Sequence, residues 1–280
     1  MRFEKWQALG NDYVIVEERE LPFELTPARV RVLCAPHTGI GSDGVLLISE
    51  ADGDAVAAVR IFNPDGSEAE LSGNGVRQAV MYLRRSGWTG DDEFTVRTAA
   101  GDVRPRIHGE LCTMAIGRAR LRAESDYPAG AEDGRGTLTS DGREFEFQFV
   151  QVGNQQVSIE AGDELDGLDL QRYGPGIEHN ELFPNRTNTS FWRRDGDDRI
   201  RARIFERGVG ETMASGTGAT GAAVAATRGG VASPVTVELD GGELVIDVAD
   251  DLGIEMTGWA RPVYAGTLSE GFLKELNATE

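Results

Sequence analysis

Apolar residues along this chain recur in short alternating or near-continuous runs broken by Gly, Pro, Asn and Asp, a pattern that predicts many short strands and few helices. Residues 3–17 alternate around Gly10-Asn11-Asp12 and read as a strand, a turn and a second strand over 13–17. Thr26-Pro27 opens a helix to about Ala35, because Thr caps orphan N–H groups, Pro presets the first helical φ, and Val30, Leu33 and Cys34 fall on one stripe. The glycine-rich loop 39–44 leads into an apolar strand over 45–49. It lacks a Gly-Lys-Ser/Thr ending and opens no helix, so it reads as a structural turn and not as a phosphate cradle. A strand over 56–63, a helix over 74–86 closed by Gly87, and a hairpin of 94–97 with 102–107 complete the first half.

The second half predicts strands over 112–116, 144–152 and 157–160, a short helical passage over 165–173, and a strand over 199–206. A helix over 217–227 ends at Gly229-Gly230, residues 235–239 and 243–248 form a hairpin, and 269–277 form a terminal helix.

These halves repeat. Adding 143 carries Arg60, Ile61, Phe62, Glu68, Ser72, Gly73, Gly75 and Ala79 onto Arg203, Ile204, Phe205, Glu211, Ser215, Gly216, Gly218 and Ala222. The same offset carries Gly10, Asn11, Val14 and Glu17 onto Gly153, Asn154, Val157 and Glu160. One domain is written twice. Strand-rich copies with one principal helix each predict an α+β architecture: two pseudo-symmetric domains, each a curled mixed or antiparallel sheet wrapped around a central helix. The expected domains are 1–117 with 263–280, and 118–262.

Each copy places Ser-Gly-x-Gly directly before its helix, so backbone N–H groups at the positive helix end are open to an anion. Two such ends turned towards each other would grip a carboxylate, and racemases and epimerases need related groups on opposite faces of one carbon. The 280 residues suffice for two ordinary cores, and the net charge of -19 argues against nucleic acid or an anionic membrane as partner. The charged start Met1-Arg2-Phe3-Glu4-Lys5 lacks a signal-peptide core and no apolar run approaches bilayer length, so a cytoplasmic protein is expected. Cys34 and Cys112 have no partner spacing, and His37, His108 and His179 are scattered, so no metal is expected. Lysine occurs only at Lys5 and Lys274, near the chain ends, which points to amino-acid chemistry without pyridoxal phosphate or any other cofactor.

Six stretches in order, Gly10-Asn11-Asp12-Tyr13, Phe62-Asn63-Pro64-Asp65-Gly66-Ser67-Glu68, Ser72-Gly73-Asn74-Gly75, Gly153-Asn154, Phe183-Pro184 through Asn188, and Glu206-Arg207 through Thr212, resemble the diaminopimelate epimerase family over nearly the whole chain. The resemblance implies an isomerase that converts LL-2,6-diaminopimelate to the meso form, in lysine and cell-wall precursor synthesis, with the site in a cleft between two domains of a homodimer. It implies that Asn11, Asn63, Asn154, Asn188 and Arg207 hold the substrate, with the planar fork of Arg207 on the distal carboxylate. It further implies that Glu206 lines the site and that Gly73, Asn74, Gly216 and Thr217 offer backbone N–H groups to the proximal carboxylate.

The chain departs from the family where the chemistry is done. The two catalytic cysteines fall on Ser72 and Ser215, and the usual His of the Gly-Asn-Pro-His motif is Gln156. A serine hydroxyl ionises several pKa units above a thiol at about 1.4 kcal/mol per unit, whereas a helix end returns only about 0.3–2 kcal/mol. Three readings follow: an epimerase in which Ser72 and Ser215 move the proton; a binding protein in which both are only helix caps; or an isomerase that uses Glu206 as base on another small acid.

Overall fold

The computed structural model describes residues 1–70 and 72–279. They form two compact units, Met1–Met114 with Gly258–Glu280, and Ala115–Thr257. In chain order the first carries β1 (Arg2–Ala8), β2 (Asn11–Glu17), α1 (Pro27–Cys34), β3 (Val45–Ser49), β4 (Ala55–Phe62), β5 (Glu68–Ala69), α2 (Gly73–Arg85), β6 (Thr95–Thr98), β7 (Gly101–Val103), β8 (Arg106–His108) and the start of β9 (Leu111–Arg118). The second carries β10 (Arg135–Ser140), β11 (Arg143–Val152), β12 (Asn154–Glu160), α3 (Leu170–Glu178), β13 (Asn188–Arg194), β14 (Arg199–Glu206), β15 (Gly210–Thr212), α4 (Gly216–Arg228), β16 (Val235–Leu239), β17 (Gly242–Val248) and most of β18 (Gly253–Trp259). β19 (Arg261–Thr267) and α5 (Glu270–Ala278) return to the first unit.

In the first unit the strand order is β19-β1-β2-β3-β4-β6-β7, with the short β5 beside β4. β2 with β3 and β4 with β6 pair in parallel, because α1 and α2 intervene between them in the chain. Thr26 caps α1 by accepting the Arg29 N–H at 3.3 Å. Val30 and Leu33 of α1 and Leu276 of α5 then cluster with Phe3, Val14, Val16 and Leu47 on one sheet face. The other face holds α2, which packs on β1 to β4 and β19. Both faces are covered, so the central strands are apolar at nearly every position: Val14, Ile15, Val16, Leu46, Leu47 and Ile48 are all buried.

The second unit repeats this plan with the strand order β10-β11-β12-β13-β14-β16-β17-β18 and β15 beside β14. α4 packs on β11, β12, β13, β14, β16 and β17, so the sheet curls around it. α3 covers the opposite face over Phe145, Phe147, Phe149, Phe183 and Phe191. A curled mixed sheet around one principal helix is thus found in each unit, as the duplicated pattern predicts.

Several local expectations are corrected. The predicted strand over 102–107 splits into β7 and β8, because Pro105 has no N–H to give a ladder, and β8 pairs with β9 instead. The helical passage over 165–173 resolves into a 3-10 turn over Gly162–Gly167 and then α3, which begins only after Asp169 accepts the Arg172 N–H. Among the described residues six strands went unpredicted: the short β5 and β15, and β10, β13, β18 and β19. β19 is exposed along nearly its whole length, so it carries no apolar alternation to read.

α4 is built almost wholly of small residues because it lies close to the strands around it. A Cβ on Gly221 would fall 2.8 Å from the Gln156 Cβ and 3.2 Å from the Ser158 Oγ on β12. Replacing Gly221 with Val should therefore lower unfolding free energy by about 2 kcal/mol or more, read from a urea titration. An unchanged midpoint would mean that α4 does not lie against β12 at this distance.

Candidate active site

The first copy positions its candidate residues at one end of α2. Ser72 adopts an extended conformation and caps the helix, its Oγ accepting the Gly75 N–H at 3.1 Å. The same Oγ accepts a second hydrogen bond, at 3.3 Å, from the hydroxyl of Tyr13 on β2. Gly73 and Asn74 follow as the first helical residues, where backbone N–H groups have no partner within the helix. The Asn74 Oδ1 accepts from Arg77 at 2.5 Å. Arg77 is fully buried, and burial pushes its guanidinium down to about 10.

Asn11 opens β2 and donates its side-chain N–H to Asp43 at 3.0 Å, while its carbonyl accepts from Gln78 of α2 at 3.1 Å. Asn63 ends β4 in a tight turn, donating to the Ser67 Oγ at 3.0 Å. Arg60 holds the returning segment with paired hydrogen bonds to Glu68 at 2.9 and 2.8 Å.

In the second copy Ser215 caps α4 in the same extended conformation, accepting the Gly218 N–H at 3.3 Å and lying 3.5 Å from the Thr217 Oγ1. Gly216 and Thr217 occupy the first helical turn. Asn154 accepts the side-chain N–H of the buried Gln156 at 2.5 Å. Asn188 is also buried, and it bridges two backbone segments: its Nδ2 donates to the Gln155 carbonyl at 3.1 Å, and its Oδ1 accepts the Arg207 N–H at 2.9 Å. That bond fixes where Arg207 leaves the strand. The Arg207 guanidinium donates to the Asn185 carbonyl at 2.8 Å, and Glu206 accepts the Thr212 hydroxyl at 2.8 Å. Arg203 and Glu211 reproduce the Arg60–Glu68 tie at 3.0 and 2.6 Å.

The candidates divide between the two compact units: Asn11, Asn63, Ser72, Gly73 and Asn74 in one, and Asn154, Asn188, Glu206, Arg207, Ser215, Gly216 and Thr217 in the other. Sequence reasoning missed Tyr13, whose hydroxyl reaches Ser72, and Gln155, which holds the Asn185 and Arg186 carbonyls at 3.0 and 2.9 Å. The signal for Tyr13 was present in the repeat, since adding 143 places Gln156 on it.

A hydroxyl oxygen that accepts backbone N–H donors at a helix end is placed to carry negative charge. Neither native thiol has such surroundings. Cys34 is buried and its thiol is raised above its ordinary value, first by desolvation; Cys112 is buried and pushed up to about 12 for the same reason. Among the described residues no cluster of His, Cys, Asp and Glu could hold a metal ion.

A family model described as diaminopimelate epimerase matches residues 3–121 and 149–263. A diaminopimelate epimerase of Synechococcus sp. (strain JA-3-3Ab) is 40% identical over 281 residues, covering 96% of this chain and 99% of that protein. One of Nitrosospira multiformis is 35% identical over 277 residues, covering 97% and 99%. Among solved structures, a PhzF-family phenazine biosynthesis protein of Bacillus anthracis superposes with a TM-score of 0.68 at 19% identity, covering 96% of this chain and 99% of that one. A probable proline racemase from Agrobacterium radiobacter K84 superposes with a TM-score of 0.66 at 14% identity, covering 96% and 93%. At such identities the structures speak for the fold alone.

Because Asn188 joins the Gln155 carbonyl to the Arg207 N–H inside the protein, Asn188→Ala strands the Arg207 N–H and leaves the Gln155 carbonyl with the longer bond from the Thr187 hydroxyl. Stability should fall by about 1–3 kcal/mol in chemical denaturation. A loss below about 0.5 kcal/mol would mean that these bonds do not set the path of the chain at Arg207.

Proposed function

The chain belongs to the diaminopimelate epimerase family, and from that premise we propose that it converts LL-2,6-diaminopimelate to the meso isomer by cofactor-independent two-base proton transfer at one Cα. The observation that carries the reading is the pair of Ser-capped helix N-termini, one in each copy of the duplicated domain, each with its hydroxyl oxygen held by the N–H of the residue three positions on.

In this reading Ser72 and Ser215 exchange protons with the two faces of Cα. One hydroxyl delivers a proton as the alkoxide of the other removes one. The backbone N–H groups of Gly73, Asn74, Gly216 and Thr217 receive the proximal carboxylate, which stabilises the charge that develops on the substrate as the α-proton leaves. Arg207 clamps the distal carboxylate, and Asn11, Asn63, Asn154 and Asn188 complete the grip, with Asn188 acting also through its hold on the Arg207 backbone. Glu206 lines the site beside Arg207.

Forming a serine alkoxide costs more than forming a thiolate, by about 1.4 kcal/mol for each unit separating the two pKa values. The alkoxide is the stronger base once formed, and the hydrogen bonds at the cap favour the charged oxygen, so part of that cost is offset. The same reading supports a homodimer that works in the cytoplasm. Among the described residues no helix is long and apolar enough to cross a membrane.

Incubating the protein with LL-diaminopimelate in deuterium oxide tests the function. Deuterium should enter at Cα and meso product should accumulate, followed by NMR and chiral chromatography. Saturable binding without deuterium entry would overturn the epimerase reading in favour of a protein that only binds the acid.

A further inference from the structure

The two serine half-sites are built alike but not equally equipped. Tyr13 is buried, 5% exposed, and its hydroxyl crosses from β2 to the cap of α2 to donate to the Ser72 Oγ at 3.3 Å. Its ring occupies space that only a glycine leaves open. A Cβ on Gly44 would fall 2.6 Å from the Tyr13 Cε1 and 2.2 Å from the Phe62 carbonyl oxygen. The second copy has neither member of this pair. Gln156 stands where the repeat would place Tyr13, and it pairs across the sheet with Asn188, one residue out of the register that pairs Val14 with Val45 in the first copy. The Gln156 amide turns to Asn154, and among the described residues the Ser215 Oγ accepts from the Gly218 N–H and lies 3.5 Å from the Thr217 hydroxyl.

We propose that Tyr13 is a positioning residue for Ser72, its phenol hydrogen-bonding the Oγ so that Ser72 bears negative charge more readily than Ser215. This rests on the reading of both serines as proton-transfer groups. The balance of the step is simple. When Ser72 protonates the substrate, its O–H bond breaks, the Cα–H bond forms, and the electron pair stays on Oγ. There the Tyr13 O–H and the Gly75 N–H meet it. In the reverse direction the same alkoxide takes the α-proton back.

The phenol is suited to remain a donor. Burial, foremost, raises its pKa; the Ser72 bond lowers it somewhat, and the neighbouring Asp43 and Cys34 raise it further, for a net upward shift. Tyr13 therefore keeps its proton throughout the neutral range.

The test uses a thiol as reporter at each cap, so that it does not depend on turnover. Ser72→Cys and Ser215→Cys are made singly, each with and without Tyr13→Phe, and the pH dependence of iodoacetamide alkylation is followed by mass spectrometry of the modified peptide. A thiolate at position 72 would accept the same phenol hydrogen bond, so Tyr13→Phe should move the alkylation midpoint there upward by about half a pH unit or more. The midpoint at position 215 should stay in place. An unmoved midpoint at 72, or equal movement at both positions, overturns the proposal. With the native serines, Tyr13→Phe should slow epimerisation at least about fivefold while leaving KM within about twofold. Failure of the unsubstituted protein to turn over diaminopimelate would sink the epimerase reading alone, and the alkylation midpoints would still decide the role of Tyr13.

Discussion

A helix enclosed by a curled sheet can come only as close to the strands as its side chains permit, and that limit shapes the second copy of this domain. α4 runs Gly-Thr-Gly-Ala-Thr-Gly-Ala-Ala-Val-Ala-Ala because its neighbours leave room for little else: a Cβ at Gly218 would already lie 2.9 Å from Ile204 on β14. Seating the helix this deeply fixes its first turn relative to the strand ends around it. Ser215 then caps the helix as its last extended residue, and Asn154, Asn188 and Glu206 stand at strand ends of the same unit. Local packing thus sets the position of the Ser215 cap.

The first copy solves the same problem with larger residues. α2 buries Arg77 and Gln78 where α4 has small residues, and the Gln78 amide ties the helix to the Asn11 carbonyl at the start of β2. Under the repeat, Gln78 corresponds to Gly221 and Tyr13 to Gln156, so the glutamine sits on the helix in one copy and on the strand in the other. One space is filled from opposite sides. The consequence is a difference in polarity around two serines whose backbone settings match closely, with φ and ψ of -138 and 118 degrees at Ser72 and -139 and 124 degrees at Ser215.

Much of this architecture is legible in the order of residues alone. Thr26-Pro27 marks the start of α1, the apolar run at Val45 marks β3, and the 143-residue offset discloses the duplication and the paired Ser-Gly-x-Gly caps. The legible elements share a strong local signal: a cap, a proline at its favoured site, or a strand buried on both faces. β19 escapes because an exposed edge strand needs no alternation, and β8 is read as part of the preceding hairpin because its true partner, β9, follows it in the chain. At the site, residue types are readable but hydrogen-bond partners are not. Nothing in Asn188 alone says that its amide joins Gln155 to Arg207, and Tyr13 joins Ser72 only through tertiary packing across 59 positions.

On the proposed mechanism Ser72 and Ser215 occupy working proton-transfer positions and are not merely helix caps. Replacing both with cysteine tests it most directly, since each thiol would sit at a helix N-terminus that favours the thiolate, while the native Cys34 and Cys112 remain buried. Ser72→Cys/Ser215→Cys should raise α-proton exchange and epimerisation of diaminopimelate at least about tenfold, equivalent to about 1.4 kcal/mol of barrier, and make activity sensitive to alkylation. A doubly substituted protein that folds, binds diaminopimelate and exchanges its α-proton no faster than the native chain would contradict that mechanism.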